Sequence, residues 1–529
     1  MKTINLLAWL LLASTSAATL SACTDGFEEL NVNPNQNPNV IPETLLAPAL
    51  TDLVKRNMDR ARRITNELMQ VQVTRNEGDA IHRYVVRPAE ADYMWNNWYT
   101  QLTDFRDLYR SAEGVNSPTF MAIARILEVW TVSLLTDTFG DVPYSQAIRG
   151  REGLLQPAFD KQEDIYKDLF VKLEEANELL KAGTDLSTDQ SQLDPLYQGS
   201  AAKWRKFGNS LYLRLLVRVS NRTEAIANGM SPQDKLRDLV NTNASAYPLI
   251  SNNDESAILR WTGTAPYQSP FQNARTADFS SFSSMSQFFV NNLNEWNDPR
   301  RAKWSTLYQG TYEGIPSGYD AITQPQPAKS TYPAALMQEP LLGNILNYGE
   351  VQLLLAEAAL RGWTTGNAQT YYEAGATAGI TLWVYTVPTG YFDNSDVKWE
   401  PASSFDRKLE QIHLQKYYAL FFTDFQQWFE YRRTGHPVLP IGAGVRNDGK
   451  MPARLNYPVY VQSLNQQSYQ AAVADQGPDD VNTKVWGRID LTPRTPLRKG
   501  EGEPDDLQTH AYVFAAVAPP LLFGEGAGG

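Results

Sequence analysis

Cysteine is almost missing from these 529 residues. Cys23 is the only one, so no internal disulfide forms and no thiolate cluster can hold zinc. Histidine is nearly as scarce: His82, His413, His436 and His510 stand in no ligand spacing, and there is no H-E-x-x-H. Cations are in deficit, 47 Lys and Arg against 59 Asp and Glu, for a formal net charge of -12. A phosphate backbone needs a basic footprint that this balance does not supply, so nucleic acid is not an expected partner. The chain also lacks a G-x-S-x-G elbow and a P-loop. Gly442-Ala443-Gly444 is short of the third glycine of G-x-G-x-x-G and follows no clear strand. Beyond the N-terminus no apolar run approaches the ~20 residues a spanning helix needs. The stretch Val513 to Phe523 is short and broken by Pro519 and Pro520. What is left is a globular composition, 42% hydrophobic and 20% charged, long enough to bury a sizeable core.

What is present starts with a processing signal. Lys2 precedes the apolar run Leu6-Leu7-Ala8-Trp9-Leu10-Leu11-Leu12-Ala13, and small or polar residues follow to Ala22, the pattern of a secretory signal over 1–22. Leu20-Ser21-Ala22-Cys23 resembles a bacterial lipobox, which implies acylation of Cys23 and attachment to a membrane through its lipid. The Asn/Pro-rich stretch from Asn31 to Asn39 has turn chemistry and no period, so 23–41 reads as a tether.

From Pro42 onward the patterning is helical. Asp160 and Glu163 look like a capping box, Ile165, Leu169, Leu173, Ala176 and Leu180 follow at helical spacing, and Gly183 ends the run. Asn347 to Arg361 repeats the pattern with Gly362 as its stop, and Ala368, Tyr371, Tyr372, Ala374 and Ala376 mark the next helix. Small residues at these offsets let antiparallel helices approach closely, as in tetratricopeptide (TPR) pairs. Further pairs are predicted for 88–114 with 117–138 and 160–182 with 200–221. The fold class is therefore mainly α, with TPR-like antiparallel helix pairs and long irregular loops forming a ligand-binding face. Those loops are 243–284 and 305–345, rich in Ser, Thr, Gly, Pro, Tyr and Trp without a sustained period. Residues 387–402 and 434–482 read as structural wrapping. The stretch 487–529 is rich in Gly and Pro, has no amphipathic pattern and reads as a disordered tail.

Several segments, in order, resemble the SusD/RagB family of outer-membrane nutrient-binding lipoproteins. They are Phe27-Glu28-Glu29-Leu30-Asn31-Val32-Asn33-Pro34, Phe139-Gly140-Asp141-Val142-Pro143-Tyr144, Lys203-Trp204-Arg205-Lys206-Phe207-Gly208-Asn209, Asn297-Asp298-Pro299-Arg300, Leu354-Leu355-Ala356-Glu357-Ala358 and Trp428-Phe429-Glu430-Tyr431-Arg432-Arg433-Thr434-Gly435. The resemblance covers about 20–486 and makes 42–486 a SusD-like helical domain. It implies a cell-surface, lipid-anchored lid over a SusC-like TonB-dependent barrel in the outer membrane, capturing an oligosaccharide or peptide and performing no chemistry. A helical-repeat adaptor for another protein is the alternative, and a surface glycoside hydrolase a more distant one, since two carboxylates suffice for that reaction.

The signature motifs themselves read as scaffold. Arg432 and Arg433 fall in the last turn of a helix, where positive charge complements the dipole. Glu357 would be costly to bury without an arginine, and Asp141 reads as a helix-end turn residue. Trp95, Trp98 and Tyr99 share a helical face and read as core. Ligand contacts are expected from the aromatic loops, because flat rings stack on the C–H face of a sugar while amides and charges bind its rim. The candidates are Trp261, Tyr267, Phe271, Asn273, Arg275 and Asp278 in one loop, Tyr312, Tyr319 and Asp320 in another, and Tyr84 after the first helix. No cofactor is expected. A structural calcium stays open, because its oxygen ligands leave no mandatory spacing.

Overall fold

A computed structural model describes residues 41–75 and 81–487. The signal segment 1–22, Cys23, the tether up to residue 40 and the tail from 488 lie outside the described residues. Helix α1 (Pro42–Arg60) opens on a proline, whose missing N–H costs nothing in a first turn, and buries Leu46, Leu50, Leu53 and Val54. Two antiparallel pairs follow: α2 (Ala89–Gly114) with α3 (Pro118–Phe139), and α4 (Gln162–Ala182) with α5 (Ala201–Arg218). Helix α3 also packs on α4, so the two pairs form one continuous layer. By length and composition α3 could cross a membrane, but 89% of its most apolar window is buried inside the protein, and it is the central core helix of this layer.

After α6 (Gln287–Glu295), the third pair is α7 (Tyr348–Leu360) with α8 (Ala368–Thr381). A Cβ added to Gly375 would lie 2.6 Å from Leu353 Cγ, so the small residue here is what lets α7 and α8 approach. Asn347 caps α7 by accepting from the Glu350 N–H at 2.9 Å, and Gly362 follows its end at φ +72°. Helices α9 (Phe405–Ala419) and α10 (Gln426–Thr434) complete the helical body. Gly435 stops α10 in the left-handed region at φ +73°.

Among the described residues, three two-stranded antiparallel ladders tie the loops down: β1 (Gln72–Thr74) with β5 (Ser283–Met285), β2 (Val142–Pro143) with β3 (Phe159–Asp160), and β4 (Ala257–Ile258) with β6 (Asn344–Leu346). In the first, Gln72 stands opposite Met285 and Thr74 opposite Ser283. Trp98 is fully buried and Trp95 nearly so, while Tyr99 is half-buried and donates to the Pro143 carbonyl at 2.7 Å.

Two local expectations are corrected. The capping box at 160–163 does not form: α4 begins at Gln162, and Asp160 accepts instead from the Tyr144 and Ser145 N–H groups at 2.9 Å each. The cap comes from Asp141, whose carboxylate accepts the Gln162 N–H at 2.9 Å. The wrapping segment 434–482 also contains a helix, α11 (Gln466–Gln476), which buries only Ala472 and so shows no apolar stripe in sequence.

Candidate functional site

The first aromatic loop leaves β4 and returns as β5, and α1 together with the turn that continues it (Ala61–Thr65) holds it from below. Lys55 donates to the Pro266 carbonyl at 3.0 Å, and the Arg62 guanidinium donates to the carbonyls of Asp278 and Phe279 at 3.0 and 2.6 Å. Trp261 turns inward, its indole nitrogen 3.2 Å from Met58 Sδ, and is 2% exposed. Phe271 packs on Phe279 and Phe422 with ring centroids 5.1 and 6.0 Å apart, and is 4% exposed. Tyr319 stacks on His82 at 5.2 Å, donates to the Thr74 carbonyl at 3.3 Å and is 2% exposed; Tyr84 is 4% exposed. These four rings, expected to face a ligand, are core. Their faces are covered by protein, so in this conformation none can stack on a sugar.

The remaining candidates reach the surface but do not converge. Arg275 and Asp278 pair with each other at 2.7 and 2.9 Å, and Asn273 is exposed beside them. Tyr312 is half-buried with the Arg301 guanidinium 5.5 Å from its ring centre. Asp320 accepts from the Ile322 and Thr323 N–H groups and lies 3.5 Å from Arg83. The loop bearing Tyr319 and Asp320 abuts the Gly442-Ala443-Gly444 turn. A Cβ on Gly442 would sit 2.4 Å from the Ser317 carbonyl oxygen, and one on Gly444 would sit 2.5 Å from the Asp320 nitrogen. Those glycines serve a backbone seam.

Tyr267 lines a cleft of about 690 Å³ formed by segments 191–203 and 254–267. Leu196 and Ile258 give it apolar wall, while Gln192, Gln198, Lys203, Asp254, Arg260 and Thr262 give it polar rim. The Tyr267 phenol is raised above its ordinary pKa by burial and by the nearby Asp194 charge. Asp194 is a framework residue, its carboxylate accepting from the N–H groups of Leu196, Tyr197 and Gly199 and from the Trp204 indole at 2.7–3.3 Å. A half-buried ring beside amides and charges is the combination that binds a sugar face and rim. The sequence signalled this cleft only through Tyr267. Arg260 and Asp254 fall within the loop 243–284, but Gln192, Gln198 and Lys203 come from a segment outside the two loops expected to face a ligand. A second missed surface feature is Phe282, 64% exposed amid Ser280, Ser281, Ser283 and Ser284.

Away from the cleft lies a buried network of charges. Glu357 accepts from Arg433 through both its oxygens, one at 2.8 Å, and from Arg361 at 2.8 Å. Glu430 meets Arg433 at 2.7 Å, Lys416 at 2.6 Å and Arg218 at 3.0 Å, and Arg218 reaches Asp137 at 2.8 Å. Burial would raise the Glu357 and Glu430 carboxyls, but Arg433 and its neighbours outweigh it and hold both well below the usual range. Ligand atoms of Glu357, His413 and Glu430 lie within 4.8 Å of one another, close enough for a metal ion. Arg433 and Lys416 already supply the compensating positive charge, so the residues present fit an ion-paired core better than a metal centre.

The network predicts a pH dependence. Burial lowers His413 to about 4, only partly opposed by Glu357. The unfolded chain takes up that proton near 6.5, so stability from this group is complete above 6.5 and falls as pH drops toward 4, by about 3 kcal/mol. Glu67, raised to about 7 by burial and partly opposed by its bonds from Thr74, acts in the opposite sense, losing stability as pH rises through 4.5 to 7. Burial lowers His82 further, to about 3, so it adds its own loss over the same range. In urea titrations across pH 4–7, His413→Gln should therefore flatten the acid limb by the share of His413 and leave that of His82. An unchanged acid limb would refute the assignment.

Residues 34–458 match the family described as SusD-like, starch-binding and associating with the outer membrane. The chain belongs to the SusD-like family. A SusD homologue from Bacteroides fragilis is 24% identical with a TM-score of 0.72, covering 85% of this chain and 99% of its own. A SusD homologue from Bacteroides uniformis is 24% identical at TM-score 0.73, with the same coverages of 85% and 99%. A chitin-binding SusD homologue from Flavobacterium johnsoniae is 22% identical at TM-score 0.72, again covering 85% and 99%. These likenesses establish the fold. No curated protein matches the chain. The segments that carry the SusD resemblance are largely those of the buried network and its surroundings: Asp141 caps α4, Glu357 pairs with Arg433, and Asp298 accepts from Arg300 at 2.7 and 3.0 Å. The signature of this SusD-like chain thus records its scaffold, while the cleft is built from residues outside it, apart from Lys203.

Proposed function

We propose that this protein is a non-enzymatic glycan receptor, anchored at the cell surface through lipid on Cys23, that hands an oligosaccharide to a SusC-like TonB-dependent transporter in the outer membrane. The observation that carries the reading is the family match over 34–458, whose description joins starch binding to the outer membrane. Two features support it. Leu20-Ser21-Ala22-Cys23 offers a lipobox, and the cleft around Tyr267 offers a ring, apolar wall and polar rim, with the Asp194 carboxylate taken up by three N–H groups and the Trp204 indole. The relative from Flavobacterium johnsoniae makes N-acetylglucosamine oligomers a natural first probe alongside maltooligosaccharides.

Calorimetric titration of the full chain with such oligosaccharides should give saturable binding without product release. Tyr267→Ala should weaken it roughly tenfold, the worth of about 1–2 kcal/mol of lost ring contact. Affinity for peptides alone would move the protein to the peptide-binding branch of the SusD/RagB family. Failure to co-purify with a large outer-membrane barrel would remove the delivery role.

A further inference from the structure

Most arginines within this protein are committed to partners. Arg214 is paired with Glu350 at 2.7 Å, Arg218 with Asp137 and Glu430, Arg300 with Asp298, Arg433 with Glu357 and Glu430, and Arg275 with Asp278. Arg260, which is exposed, is one of the few that are not committed: like Arg151 and Arg446 its guanidinium makes no hydrogen bond or ion pair among the described residues, and of these three it is the one that lines the Tyr267 cleft. Lys203, half-buried on the opposite segment, lines the same cleft, and its ammonium is likewise uncommitted. The acidic groups nearby do not answer them. Asp194 is consumed by three N–H groups and the Trp204 indole, and Glu255 by Lys206 at 2.5 Å and by Ser251. Asp254 is the one free carboxylate on the rim, and it lies beyond ion-pair distance of both cations.

Two cations left unpaired in a concave site of an acidic protein are placed to meet charge brought by the ligand. A guanidinium is suited to this role, because its planar fork engages a carboxylate or sulfate through two parallel bonds. We infer that the Tyr267 cleft selects a glycan bearing an anionic substituent, a uronate carboxylate or a sulfate ester, with Arg260 and Lys203 binding the anion and Tyr267 the sugar ring. The inference rests on the glycan-receptor reading and narrows its ligand.

The test uses one oligosaccharide backbone in two charge states. The full chain is titrated with an oligogalacturonate, with its neutral methyl ester, with a sulfated oligosaccharide of similar length and with a neutral chito-oligosaccharide. At least one anionic ligand should bind about tenfold or more tightly than the neutral ones, the worth of a charge-assisted hydrogen-bond pair. Arg260→Gln and Lys203→Gln should each reduce that preference, and Arg260→Gln should leave the thermal transition in place because its side chain supports nothing else. Preference for the uronate identifies a carboxylate, and preference for the sulfated sugar identifies a sulfate. Equal binding of acid and ester, with no gain for the sulfated sugar, overturns the inference while leaving the glycan receptor standing, as does a preference that survives Arg260→Gln. Binding of peptides and of no glycan overturns both.

Discussion

Arg433→Ala should lower the unfolding free energy by about 3–5 kcal/mol in urea denaturation, among the largest losses of any single side chain here. Arg433 is 2% exposed and serves two buried carboxylates, Glu357 and Glu430. Its removal leaves Glu357 to Arg361 and His413, and leaves Glu430 to Lys416 and Arg218. The penalty comes from buried carboxylate oxygens left without their strongest donor more than from the attraction itself. The double replacement Glu357→Leu with Arg433→Met should therefore lose less than the two single changes added together. Strict additivity would show that the two residues are not energetically coupled, and a loss under 1 kcal/mol for Arg433→Ala would show that water reaches the network.

Trp261→Ala should cost about 3–5 kcal/mol of stability through the cavity it leaves beneath the first aromatic loop. Its ring fills space against Met58 with Lys55 5.9 Å from its centre, so truncation undermines α1 and the loop together. Tyr267→Ala, six residues on, should change stability by much less and ligand affinity by more. Comparing the two by thermal unfolding and calorimetry separates core from contact. If Trp261→Ala proved stable and defective only in binding, the indole would have to leave the core when ligand arrives.

The helices were legible because their apolar spacing and end signals are local. Asn347 caps α7 and Gly362 ends it, and both can be read from the residues beside them. The cap of α4 could not, since its acceptor, Asp141, is 21 residues upstream and Asp160 looked equally suitable. Glu357 was expected to need an arginine, and Arg433 is that arginine; the pairing follows from the cost of burying charge. The rings were harder. Trp261 and Tyr267 lie in one loop with the same irregular surroundings, and what separates them is the contact of Trp261 with Met58, 203 positions away. The cleft is hidden in the sequence for the same reason, because its rim joins 191–203 to 254–267, two stretches that sequence spacing does not connect.

The tie between α1 and the loop 260–282 has a thermodynamic consequence. Irregular segments of this length ordinarily sample many shapes, and a ligand that selects one must oppose that freedom at about 1–2 kcal/mol for each residue it fixes. Here Lys55 and Arg62 grip the loop by its carbonyls, and Trp261, Phe271 and Phe279 root it in the core. Order is imposed when the chain folds, so any molecule arriving at Tyr267 meets a surface whose shape is already set. Affinity at such a surface is governed by the fit of whatever binds there, and discrimination between similar molecules can rest on single side chains of the rim.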